Sequence, residues 1–330
     1  MDPFLAFEVS QDEHIFTRGV VKKEQLPLLK DHVLIQVAYS DINYKDALAA
    51  TKDTGVIRSY PKIPGIDLAG EIIESTHEDW PVGKQVIVTG YDLGVGVDGG
   101  FAQYQQVPVE WLVALPKDLS LKESMIFGTA GFTATQCVLA LEKKQIDKDE
   151  PIFVTGATGG VGSIAIALLS KLGYSNITAI SRKKDVDWLL QLGATQIATP
   201  EEVLPEKNKP LGKQLIAALI DTVGGSLLAN LLPLLQYEGS AIICGNAGGI
   251  KVDTTVLPFI LRGIQLIGID SVHASMDLRK EIWPFLAENR DVINNLNYQE
   301  VLLTDLDITI DALLAGEHQG RTIVNMDVKI

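Results

Sequence analysis

Cysteine is almost missing from these 330 residues: only Cys137 and Cys244 occur. Both lie in apolar surroundings, "TQCVLAL" and "AIICGN". That setting predicts buried, inert thiols and excludes a disulfide framework. No run of about 18 apolar residues stands out, and the start "MDPFLAFEVSQDEH" has neither a basic region nor a continuous apolar core, so a soluble cytoplasmic protein is expected. A surplus of positive charge is missing too. The net charge of -14 argues against nucleic acid and acidic membranes as partners, since either would need a basic patch. The five histidines (14, 32, 77, 273, 318) are scattered without ligand spacing, which points to no metal site.

What is present is an ordinary globular mixture, 46% hydrophobic and 21% charged with 29 Gly and 14 Pro, long enough for about two domains. Short alternating segments broken by Gly and Pro ("HVLIQVAYS", "LAGEIIES", "KQVIVTG", "FAQYQQVP", "WLVALP") predict an all-β, barrel-like first domain over residues 1–124. From Met125 the period becomes helical. From Pro151 apolar strands ("PIFVTG", "NITAIS", "TQIAT", "LIAALIDTV", "SAIICG", "IQLIGID") alternate with helical patterns. This alternation predicts an α/β, doubly wound Rossmann domain over 125–271, and the tail 272–330 (helix, strand, helix, strand) is expected to return to the first domain.

In "VTGATGGVGSIAIAL" Ala157, Gly159 and Gly162 fall at dinucleotide-loop spacing, and Gly156, Gly159 and Gly162 form an overlapping series. Small residues there allow the tight turn, the close approach to a pyrophosphate and the packing of helix on strand. Gly156, Thr158, Gly159, Gly160 and Val161 are therefore the candidate phosphate cradle. At the end of the second strand, where an NAD enzyme would place an acidic residue, stand Ser181, Arg182, Lys183 and Lys184. Cations suit a 2'-phosphate, so NADPH is the expected cofactor. "ICGNAGG" and "GIDSV" follow later strands, which makes Asn246 and Ser271 candidates for the nicotinamide end.

The order of a β domain, a Rossmann domain and a returning tail resembles the medium-chain dehydrogenase/reductases. Their zinc-binding alcohol dehydrogenase branch needs a Cys near "YSDINYKD", a His-Glu where this chain has "PGIDLAG", and four clustered cysteines, none of which is present. The segments "NYKDALA", "IPGIDLAG", "GTAGFTA", "VTGATGGVG", "IDTVGG", "PFILRGIQLIGIDSV" and "QGRTIV" resemble instead the zinc-free, quinone oxidoreductase-like branch, in particular the YhdH/YhfP group of acrylyl-coenzyme A reductases. The resemblance implies a GroES-like catalytic domain beside the Rossmann domain, a homodimer, and NADPH-dependent reduction of an activated carbon-carbon double bond.

Such a bond accepts hydride at its β-carbon without a Lewis acid if the enolate oxygen is stabilised and the α-carbon receives a proton. Tyr44 is the candidate to contact the nicotinamide and donate a hydrogen bond or proton, and Asn43 to orient the substrate carbonyl. The alternatives are an amphipathic core Tyr and a turn-forming Asn. Lys45 and Asp46 are expected to make local contacts. Arg58 either grips a thioester carbonyl or coenzyme A phosphate or is an exposed loop residue, and Asp67 either bonds near Tyr44 or serves its turn. Enoyl-CoA, quinone and enone substrates stay open, as does a non-catalytic NADPH-binding protein.

Overall fold

The structure is a computed structural model that describes residues 3–12, 15–24, 27–207 and 209–328. His14 lies outside the described residues. The chain forms two compact units. One comprises Met1–Thr129, Val272–Arg290 and Tyr298–Ile330; the other comprises Ala130–Ser271 and Asp291–Asn297. The short segment Asp291–Asn297 of the tail thus belongs with the second unit.

The first unit begins with β1 (Phe4–Asp12) and β2 (Ile15–Lys23), an antiparallel pair. The sequence reading passed over this pair, because charged and polar residues dilute the alternation along both segments. The main sheet contains β3 (His32–Asp41), β4 (Asp67–Ser75), β5 (Gln85–Thr89) and β7 (Val113–Ala114), and β6 (Tyr104–Pro108) pairs with β3. Inward residues Val33, Ile35, Val37, Leu68, Ile72, Val86 and Val88 join Phe7 and Phe101 in its core.

The second unit holds a parallel sheet of β8 (Ile152–Thr155), β9 (Ile177–Ile180), β10 (Gln196–Ala198), β11 (Ile216–Asp221), β12 (Leu235–Ile243) and β13 (Gln265–Gly268). Its order, β10-β9-β8-β11-β12-β13, reverses direction beside β8, as a doubly wound sheet requires. The central strands β8, β9 and β11 are almost wholly buried, which explains why they read as continuous apolar runs. In the tail, β14 (Tyr298–Leu302) pairs in parallel with β15 (Arg321–Asn325), and β15 lies antiparallel to β3, so the C-terminal strands complete the sheet of the first unit.

Two helices matter to the site. The first, α1 (Tyr44–Ala49), follows β3 directly. The second, α2 (Leu121–Glu142), starts four residues before the predicted helix and is broken at Gly128 (φ 50°, ψ -153°). By length and composition α2 is apolar enough to cross a membrane, contrary to the sequence reading, yet 83% of its apolar window is buried inside the protein. It is a core helix. Of the two thiols, Cys137 on α2 is buried and Cys244 is half-buried; both are free.

Arg279, on the helix Met276–Glu288, is fully buried. Its guanidinium donates to the Ala274, Thr89 and Val272 carbonyls and to Thr89 Oγ1, and it lies 4.3 Å over the Tyr91 ring. This fan of bonds fastens the returning chain to the end of β5. Arg279→Met fills similar space but leaves several acceptors dry, so it should cost about 3 kcal/mol or more, read as a lowered urea midpoint.

Candidate functional site

The stretch "SDINYKDA" forms the end of β3, a tight connection and the start of α1. Burial here is unusual in kind: Asp41, Asp46 and Asp67 are all fully buried. Buried carboxylates persist only when hydrogen-bonded or paired. Asn43 supplies much of that satisfaction. Its Nδ2 donates to Asp41 Oδ1 at 2.6 Å and to Asp67 Oδ2 at 2.9 Å, and its backbone N-H donates to Asp46 Oδ2 at 2.8 Å. The other Asp46 oxygen accepts from the Ile66 N-H at 2.9 Å.

Asp67 also receives the Thr129 N-H at 2.8 Å and the Thr129 hydroxyl at 2.5 Å, just past the break in α2. Arg321, reaching over from β15, gives Nη2 to Asp41 Oδ2 at 2.6 Å and Nε to the Ile126 carbonyl at 3.0 Å. Gly128 is required at the break, because a Cβ there would stand 1.6 Å from Asp41 Oδ2 and its φ lies in the left-handed region. Four separate segments therefore meet on one polar cluster.

Each sequence-predicted residue of this region has a definite place. Both amide protons of Asn43 are spent on Asp41 and Asp67 inside the protein, which leaves no Nδ2 donor for a substrate carbonyl. Asp67 meets Asn43 and Thr129 rather than the Tyr44 side chain. Tyr44 is the first residue of α1 and is 41% exposed, and its hydroxyl takes no hydrogen-bond partner among the described residues. Arg58 is exposed in its loop and forms no ion pair among the described residues. Thr129 and Arg321 were given no role from the sequence; their only signal lay in "GTAGFTA" and "QGRTIV", from distant parts of the chain. Asp41 stands in "YSDINYKD" beside Asn43 and Tyr44, but its partners were not legible there.

The cluster also answers whether a zinc ion fits. Among the described residues no three or more His, Cys, Asp and Glu side chains are gathered to hold a metal. The inner faces of Asp41 and Asp67 are instead met by N-H donors and a guanidinium, which repel a cation. The residues do not fit zinc.

Charge in the cluster is unbalanced. Burial raises the Asp41 carboxyl well above the usual range, reinforced by neighbouring Asp67, although Arg321 opposes the shift. Burial likewise lifts Asp46 to about 7 against the two backbone N-H bonds that favour its charge.

In the second unit, "VTGATGGVG" turns from β8 into a helix, α3 (Gly160–Lys171). Gly156 has φ 60°, and a Cβ there would lie 2.2 Å from Thr222 Oγ1; a Cβ on Gly162 would lie 2.5 Å from the Gly156 carbonyl oxygen. The first ladder bond runs from Ser163 N-H to the Gly159 carbonyl, so the N-H groups of Gly160, Val161 and Gly162 precede the ladder. They form an anion-binding end, beside buried Thr158. Gly159 caps the helix without a side chain in the way.

At the end of β9, Ser181 is buried and its Oγ accepts from the Lys183 N-H at 3.1 Å. Arg182 is exposed, and half-buried Lys183 has its pKa lowered by burial and by the Arg182 charge. On the next strands, Gly224 and Gly225 run against Gly248 and Gly249, backbone to backbone. This contact shapes the turn that carries exposed Asn246. Asp221, unforeseen from sequence, is buried under it; it accepts from Thr155 Oγ1 at 2.6 Å and the Gly224 N-H at 2.7 Å. Ser271 is half-buried past β13. The residues present therefore fit a dinucleotide.

A GroES-like β unit and a doubly wound dinucleotide unit together define a two-domain nicotinamide oxidoreductase. A model described as "Alcohol dehydrogenase GroES-like domain" matches residues 29–117, and one described as "Zinc-binding dehydrogenase" matches 160–288. The chain belongs to the medium-chain dehydrogenase/reductase family, in its quinone oxidoreductase-like branch. It is 38% identical to "Acrylyl-CoA reductase AcuI" of Ruegeria pomeroyi, covering 98% of this chain and 99% of that one. The yhdH oxidoreductase of Salmonella enterica in complex with NADP superposes with TM-score 0.92 at 41% identity, covering 98% of this chain and all of that one. Bacillus subtilis yhfP with NAD bound gives TM-score 0.93 at 42% identity, with the same coverage.

Because its folded pKa is raised, Asp46 adds stability that is fully present below its ordinary value near 4 and lost as pH rises through about 7. Asp46→Asn removes the titration, so the melting-temperature advantage of the native chain over this variant should shrink between about pH 5 and pH 8. A constant difference would show that Asp46 stays ionised.

Proposed function

We propose that the protein reduces an activated carbon-carbon double bond with NADPH, acrylyl-CoA to propionyl-CoA being the foremost substrate. The observation that carries this reading is Tyr44, 41% exposed and with no partner for its hydroxyl among the described residues, next in sequence to Asn43 of a cluster whose donors do not suit a metal. Bound NADPH supplies the hydride to the β-carbon of the substrate. Tyr44 donates a hydrogen bond to the developing enolate or the proton for its α-carbon. Arg58, exposed and unpaired among the described residues, grips the thioester carbonyl or a coenzyme A phosphate. Asn43 and Asp67 hold the turn under Tyr44, so their part in the reaction is indirect.

Preference for NADPH rests on Arg182 and Lys183. A phosphate placed against them would offset both the burial and the Arg182 charge that lower the Lys183 pKa, and Ser181 adds a short polar partner. The N-H groups around Gly156, Gly159, Gly160 and Val161, with Thr158, hold the pyrophosphate; Asn246 and Ser271 serve the nicotinamide end. In single-turnover experiments Tyr44→Phe should slow reduction of acrylyl-CoA by about 100-fold while NADPH affinity holds. Arg182→Ala should weaken NADPH by about tenfold and leave NADH unchanged. A panel of acrylyl-CoA, crotonyl-CoA, 1,4-benzoquinone and simple enones tests the substrate class; faster turnover of the quinone would move the assignment to a quinone reductase, and no NADPH oxidation with any member would leave a binding protein.

We further infer a homodimer built through the second unit and a cytoplasmic location, where NADPH and free thiols coexist. β13 is the outer strand of its sheet, and Val256, Ile260, Leu261 and Leu266 beside or on it are exposed apolar side chains. An uncovered edge strand with an apolar flank invites pairing with a second copy. Ile260→Asp with Leu261→Asp should convert the dimer to monomer in sedimentation velocity. A species unchanged by the double substitution would place the contact elsewhere.

A further inference from the structure

The turn that leaves β11 is bonded to two loops of the candidate dinucleotide site, and Asp221 stands at its root. From Asp221 the chain passes through Thr222, Val223 and Gly224 into the helix Gly225–Leu231. On one side this turn is laced to the end of β8, where the phosphate loop begins. The Thr155 hydroxyl donates to Asp221 Oδ1 at 2.6 Å, the Thr222 N-H donates to Thr155 Oγ1 at 3.1 Å, and the Thr222 hydroxyl donates to the Thr155 carbonyl at 3.0 Å. Because Thr155 Oγ1 already accepts the Thr222 N-H, its own proton goes to Asp221. Thr222 also leans over the loop, so a Cβ on Gly156 would stand 2.2 Å from its Oγ1.

On its other side the same turn holds the loop that carries Asn246. The Gly248 N-H donates to the Val223 carbonyl at 2.7 Å, the Cys244 N-H donates to the Asp221 carbonyl at 3.0 Å, and Gly224 bridges to Gly249. Gly224 and Gly225 lie in the left-handed region, with φ of 69° and 59°. Glycine has many other conformations open to it, and the second Asp221 oxygen selects this one by accepting the Gly224 N-H at 2.7 Å. A single fully buried carboxyl thus spends one oxygen on the phosphate side and the other on the turn against which the Asn246 loop packs.

We propose that Asp221 is a positioning residue that joins the phosphate loop to the Asn246 loop, so that a ligand seated on the first also orders the second. The proposal rests on these loops being the NADPH site. Its consequence is that the two ends of the cofactor are not gripped independently, and that cutting the link harms the nicotinamide end more than the phosphate end. Asn at position 221 would keep one acceptor oxygen, which cannot serve the Thr155 hydroxyl and the Gly224 N-H together.

The probe is 2'-phosphoadenosine 5'-diphosphate, which has the phosphates of NADPH but neither the nicotinamide nor its ribose, and the readout is hydrogen exchange on the full chain. In the native chain the saturating ligand should slow exchange at least about fivefold over 156–163 and also over 245–249. In Asp221→Asn and in Thr155→Val the protection over 156–163 should persist and that over 245–249 should vanish, whereas Thr155→Ser, which keeps the hydroxyl, should retain both. Native protection confined to 156–163, or protection over 245–249 that survives Asp221→Asn, overturns the proposal. Affinities supply a second readout: Asp221→Asn should cut the advantage of NADPH over 2'-phosphoadenosine 5'-diphosphate by about tenfold. A general loosening of the fold would weaken both ligands alike, and equal weakening overturns the proposal. If Thr155→Val does not fold, Asp221→Asn and Thr155→Ser still decide. No protection over 156–163 in the native chain, at any ligand concentration, removes the dinucleotide reading and the proposal with it, an outcome distinct from protection there alone.

Discussion

The first unit depends on one constraint: three carboxyl groups, from β3, α1 and β4, are taken out of water together and must find donors within the protein. A single amide, Asn43, bridges two of them and caps α1 against the third. Arg321 from β15 and Thr129 from the break in α2 complete the set. Each donor arrives on a different segment, so satisfying the carboxyls also fixes the order in which those segments pack. The break at Gly128 follows from the same demand, since an intact helix with a side chain there would occupy the space of Asp41. Polar satisfaction here works as a register device.

The second unit solves a different problem by removing side chains. Its loops carry glycine at Gly162, Gly224 and Gly225, where the neighbouring backbone comes too close for a Cβ, and at Gly156, where the Thr222 side chain does. The result is a row of N-H groups at the head of α3 and a pair of cations at the end of β9. Steric economy frees the N-H groups at the head of α3, and the cations at the end of β9 carry the proposed preference for NADPH. Asp221, held by Thr155 and the Gly224 N-H, pins the turn between them.

Legibility in the sequence divided along the range of the interactions. Parallel strands and the phosphate loop were readable, because a buried strand is a short apolar run and a glycine turn is a local requirement. The pair β1 and β2 was not, since half-exposed edge strands mix charge with apolar residues and blur the alternation. Helix α2 read from the sequence simply as a helix, and only its packing shows that this apolar stretch lies inside the protein. The sequence reading gave Asn43 the substrate carbonyl, a task for which its side-chain amide has no donor left. A sequence shows that an amide follows a strand; it does not show that both amide protons are already spent.

By itself the sequence determined the elements: the strands with their apolar faces, the glycines that let β8 turn into α3, the cations where an acidic residue would select NAD, and the absence of cysteine and histidine ligands. These are properties of residues within about a dozen positions of one another. Tertiary structure alone decided that Asp41, Asp67, Thr129 and Arg321 belong to one cluster. The segments lie as far as 280 residues apart, and only the closing of the sheet by β15 brings the guanidinium to the carboxyl. Burial then changed the chemistry of those groups, because a carboxylate removed from water either finds donors or keeps its proton.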